Sequence, residues 1–141
     1  MDFPLHILAS ARAILNSGQE LLPVLFLHGE EGLTVVSLPP RKEVWSLVIR
    51  DLRNQKDPDE MAFVCSARSR TLAPNEGFPD VRPMDDPRAE DTAIMVLAVR
   101  GEPLRVWECK YDLTSNGVVT NIGPWKELPG PITDRFFDPW D

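Results

Sequence analysis

Histidine and cysteine are scarce in this chain, two of each in 141 residues, and tyrosine occurs once. His6 and His28 have no second histidine or cysteine at ligand spacing, so no metal centre is predicted. His28 to Glu31 sets an imidazole beside carboxylates, but a glycine-rich stretch of this kind reads as ordinary turn chemistry. Cys65 and Cys109 each fall inside a predicted strand, which suits small buried thiols in a reducing compartment better than a disulfide. Apolar runs stay far short of the ~20 residues that cross a bilayer, and Met1 to Pro4 lacks the basic start of a secretory signal. The expectation is a cytoplasmic protein with no membrane partner and no cofactor.

Positive charge is also short. Lys and Arg number 15 against 22 Asp and Glu, giving a formal net charge of -7. A polyanion needs clustered cations, so nucleic acid is not an expected partner. The one basic stretch holds Arg41, Lys42, Arg50, Arg53 and Lys56 against Glu43 and Asp51, and it reads as the solvated face of a helix. Catalytic signatures are missing as well: there is no Gly-x-Ser-x-Gly elbow, no glycine loop before Lys-Ser or Lys-Thr, and no glutamate flanked by two histidines.

What is present is a core. With 43% hydrophobic residues, 141 residues suit a single domain spanning 1–141. Asp2 can cap a helix over 3–17 whose Leu5, Leu8, Ala11, Ile14 and Leu15 recur every three or four residues, ending at Gly18. Leu21 to Leu27 and Leu33 to Leu38 read as a β-hairpin around a loop over 28–32. A second helix over 41–55 gathers Val44, Leu47, Val48, Ile49 and Leu52 on one side with Trp45 at the margin, and Pro58 ends it.

Met61 to Ala67 follows as a strand, and residues 69–91 form a long aperiodic loop. Three strands then form a meander: Asp91 to Val99, almost wholly apolar; Leu104 to Leu113, alternating; and Gly117 to Asn121. Within the alternating strand, Trp107, Cys109, Tyr111 and Leu113 are expected to face the core and Val106, Glu108, Lys110 and Asp112 the solvent. The order α-β-β-α-β-β-β-β predicts an α+β fold, a mainly antiparallel five- to six-stranded sheet with both helices on one face.

This order is similar to that of profilin-like and roadblock-like domains, in which two helices and a five-stranded sheet form a small interaction module. The resemblance is one of element order and assigns no residue roles. Met61 to Arg68, taken with Asp86 to Leu97, also resembles small uncharacterised prokaryotic and phage proteins that join such a strand to an Asp-Arg-x-Glu segment. Here Pro87 separates Asp86 from Arg88, and no activity is implied.

Two groups of residues are candidates for function. At the rim of the 69–91 loop, Arg68 and Arg88 could bind an anionic small molecule while Glu90 or Asp91 serves as acid-base catalyst. The competing reading pairs these charges with one another. The Pro-rich and aromatic segment 123–141 carries Trp125, Phe136, Phe137 and Trp140, too apolar for a solvated tail, so it docks on the chain itself or on a partner. The balance favours a non-catalytic, self-associating protein-interaction module or an accessory or inhibitor-type factor, its partner most simply another copy of itself. The alternatives are the small enzyme at the loop rim and a phage or mobile-element structural component.

Overall fold

Helix α1 (Phe3–Asn16) begins where Asp2 accepts a hydrogen bond from the Leu5 N–H, with Pro4 in the first turn. It ends as Ser17 closes the last turn and Gly18 takes φ +90°, a conformation that favours glycine. The computed structural model describes residues 2–69, 73–77, 81–82 and 85–130. β1 (Val24–Gly29) and β2 (Gly32–Ser37) form the expected hairpin, with only Glu30 and Glu31 in the turn. His28 therefore lies on a strand rather than in the loop. Its Nδ1 is 2.8 Å from Glu60 and its ring stacks on Phe3 at 5.3 Å.

A 3-10 turn over Lys42–Val44 leads into α2 (Trp45–Lys56), which stops at Asp57 in a left-handed conformation just before Pro58. The expected inner face of this helix needs correction. Trp45 and Ile49 are buried and Val48 and Leu52 half-buried, whereas Leu47 is 67% exposed. Spacings of four and three put 45, 49 and 52 on one stripe, and the indole anchors that stripe inward by donating to the Pro39 carbonyl at 2.7 Å.

β3 (Glu60–Ser69), β4 (Glu90–Val99), β5 (Arg105–Leu113), β6 (Val119–Thr120) and β7 (Lys126–Glu127) complete an antiparallel sheet of order β2-β1-β3-β4-β5-β6, with β7 also pairing β5. The fold is α+β, as the element order predicts. The last strand of the predicted meander shrinks to two residues, because Gly117 turns the chain with φ +77° before it and Asn121 with φ +52° after it. β7 is a strand too short for a period-two signal to reveal.

The helices lie on opposite faces of the sheet, not together on one. Side chains of even-numbered β3 residues, Ala62 and Val64, join Met95, Trp107, Cys109 and Tyr111 beneath α1. The odd-numbered Met61 and Phe63 join Leu25, Val96 and Val106 beneath α2. Covering both faces buries both parities of a central strand, which is why β4 reads as an unbroken apolar run and why Ala93 and Val96 are equally enclosed. The same layering corrects the reading of β5: Val106 is core for α2, and only Glu108, Lys110 and Asp112 on that parity turn outward.

Candidate interaction surface

The charged rim assembles at the base of the β3–β4 connection, but as internal pairing. Arg68 and Asp91 are register partners, and the guanidinium reaches the Asp91 carboxylate at 3.2 Å while donating to the carbonyls of Asp86 and Ala89. Asp86 is buried and accepts from the Arg88 N–H at 2.9 Å; the Arg88 side chain lies 3.5 Å from the same carboxylate. Glu90 points the other way and pairs with Lys110 at 2.6 Å.

Glu90 and Asp91 border an open depression of about 480 Å³ with Lys110, Asp112 and Asn121, yet neither Arg68 nor Arg88 lines it. The four candidate residues thus do not converge on one cavity. Their charges tie down the two ends of the long connection.

Behind this rim the polar groups on the α1 face are likewise engaged. Tyr111 donates its hydroxyl proton to Glu20 at 2.7 Å, and Ser66 accepts from the Leu21 N–H. Burial raises the Tyr111 phenol above its ordinary value; the Ser66 hydroxyl opposes that shift and Glu20 adds to it. The sign follows from the neutral phenol being favoured in the fold. Its contribution is complete below the unfolded value near 10 and is lost as the pH rises beyond it. Tyr111→Phe should therefore flatten the alkaline limb of a stability-against-pH curve measured by urea titration, and an unchanged limb would count against a buried phenol.

Cys109 is also inert packing. Burial raises its thiol, with Arg12 opposing, and the sulfur donates to the Gly123 carbonyl at 3.1 Å. Arg12 donates to that carbonyl at 2.5 Å and so ties α1 to the segment after β6.

Trp125 docks on its own chain, donating its indole N–H to the Leu8 carbonyl of α1 at 3.2 Å and packing against the α1 core. Phe136, Phe137 and Trp140 lie outside the described residues.

The surface left without such an explanation is at the opposite edge of the sheet. α1 packs over β3, β4 and β5 and stops short of β2, so on its face Val35 is 56% exposed and Leu33 38%. Leu22 at 77% and Ile14 at 44% stand beside them. Ser10, Ile14, Leu22, Val24, Phe26 and Val35 line a mainly apolar groove of about 310 Å³ between the helix and the edge. Among the described residues β2 pairs with β1 alone, leaving its other side open.

β2 runs Gly-Leu-Thr-Val-Val-Ser, with no charge, no proline and an unbroken register against β1. It thus lacks the charge, the proline and the bulge by which natural edge strands commonly avoid unwanted pairing. Hydrophobic patterning places Leu33 to Leu38 in a hairpin but gives no sign of this exposure. Apolar residues of one parity look like core unless the helix above them is known to fall short.

No protein-family model, curated protein or solved structure matches this chain. Among the described residues no group of histidine, cysteine and carboxylate side chains has the arrangement of a metal site, and no helix is long and apolar enough to cross a membrane.

Proposed function

We propose that this chain is a non-catalytic protein-interaction module that recruits protein through the open edge of β2 and the apolar groove beside it. The carrying observation is the combination of an uncharged, unpaired edge strand with adjoining exposed apolar side chains, Leu22, Val35 and Ile14. An added strand gains main-chain hydrogen bonds from such an edge, and flanking pockets for its side chains supply specificity. A solvated monomer has no use for this arrangement, which invites pairing with any free strand. The formal charge of -7 points the same way, since it repels nucleic acid and leaves protein as the fitting partner.

Val35→Lys tests the reading. A lysine at this exposed position changes stability by no more than about 0.5 kcal/mol, yet sets a charge in the middle of the edge. Binding to protein partners, a second copy included, should fall by at least about tenfold in titrations at unchanged melting temperature. Association that survives the lysine would place the interaction on another surface.

A further inference from the structure

The proposed function leaves the occupant of the edge open, and the chemistry of β2 selects one. Leu38 N–H donates to the Pro23 carbonyl at 3.0 Å, so at that residue the ladder groups face β1. At period two the same holds for Val36, Thr34 and Gly32, each a register partner of β1 or its lead-in. The N–H and C=O groups of Leu33, Val35 and Ser37 therefore turn away from β1, and among the described residues nothing pairs with them.

We infer that the strand added to this edge is β2 of a second copy, antiparallel, about a two-fold axis passing through Val35; this rests on the reading of β2 as the interaction edge. A two-fold axis perpendicular to the sheet keeps the α1 faces of both copies on the same side, so only residues of equal parity can stand opposite each other. With Val35 opposite the second copy's Val35, Leu33 stands opposite Ser37 and Ser37 opposite Leu33. Every outward donor and acceptor then finds a partner. Moving the axis to Thr34 would pair Leu33 with Val35 but set Ser37 against Glu31 of the turn, outside the strand, so fewer of the outward groups would be matched.

Charge favours the same direction. The acidic turn Glu30-Glu31 adjoins one end of the strand, and Arg41-Lys42 lies shortly beyond the other. Antiparallel pairing sets acid near base at both ends, whereas parallel pairing would set like charges together. The contact of Arg41 with Glu43, at 3.8 Å with both side chains about three-quarters exposed, is the kind of surface pair that exchanges partners at little cost. On the α1 face the two Val35 side chains meet across the axis, and each Leu33 covers the second copy's Ser37. The exposed apolar residues of the edge strand thereby become the centre of a contact.

Cysteine substitution in the full chain reads the register directly. Residues opposed in a hydrogen-bonded pair have Cα atoms about 5.5 Å apart, inside the ~4.4–6.8 Å that a disulfide spans. Val35→Cys should thus form a covalent dimer on mild oxidation. Thr34→Cys should not, because its counterpart is a diagonal neighbour about 7–8 Å away, and the wild type with its native Cys65 and Cys109 is the control. Light scattering of the unoxidised wild type should give twice the chain mass.

Preferential cross-linking through Thr34→Cys would overturn this register while leaving the edge as the interaction surface. A wild type that stays monomeric at every concentration, with neither variant cross-linking, would overturn self-pairing. It would leave β2 to a foreign strand or to residues 131–141 of the same chain. The interaction reading itself then stands or falls with Val35→Lys.

Discussion

Trp45→Ala lowers the unfolding free energy by about 3–5 kcal/mol, a large part of the ~5–15 kcal/mol that holds a domain of this size together. The indole is 94% buried and tilts against Phe63 with ring centroids 5.1 Å apart, at the centre of the cluster between α2 and the sheet. Its N–H fixes the chain entering the helix through Pro39. Truncation empties a ring-sized cavity and removes that bond, so both the packing and the start of α2 suffer.

Leu47→Ala is the matched control, because Leu47 is two-thirds exposed and should change stability by no more than about 0.5 kcal/mol. Urea titrations of the two variants measure both quantities. Equal losses, or a larger loss at Leu47, would restore the orientation of α2 that periodicity suggests and contradict the packing described here.

That orientation shows where sequence patterning ends. Apolar residues crowd the turn and α2 at 44, 45, 47, 48, 49 and 52, enough to support two overlapping stripes, and the choice between them depends on which one is anchored against the sheet. The 3-10 turn and the Pro39 contact decide it, and neither leaves a mark in hydrophobic period. In α1 the cap and the terminal glycine put the ends within a residue of expectation, but the expected stripe needs correction: Leu8, Ala11 and Leu15 are buried together with Phe3 and Ile7, whereas Leu5 and Ile14 are exposed.

The strands divide in the same way. Alternation located β5 and the apolar run located β4, but the run itself was the sign that both sheet faces are covered, and it was legible as such. Placing both helices on one face overlooked this, since a strand covered on a single face has no reason to be apolar on the other.

The surface was harder to read than the core. Arg68, Arg88, Glu90 and Asp91 are close in space, as their sequence positions suggest, but residue type alone cannot separate a binding site from a clasp. Register opposes Arg68 to Asp91, and direction sends Glu90 to Lys110. The edge at Leu33 and Val35 carried no signal of its own. Exposure there depends on α1 stopping short of β2, a matter of packing that hydrophobic period does not record.

Met95→Ala tests the other layer and should cost about 2–5 kcal/mol. The side chain is fully enclosed beneath α1, with Val64 and Trp107 as its register neighbours on either side. The two layers share only the sheet backbone, so mild changes in each should act independently. Ile7→Val in the α1 cluster and Ile49→Val in the α2 cluster each remove one buried methyl, at about 0.5–1.5 kcal/mol. Side chains on opposite parities of a strand project away from each other, so their effects should add within about 0.5 kcal/mol in the double variant. A larger coupling, measured by the double-mutant cycle in urea, would mean that both helices press on a common core and that the sheet does not separate them.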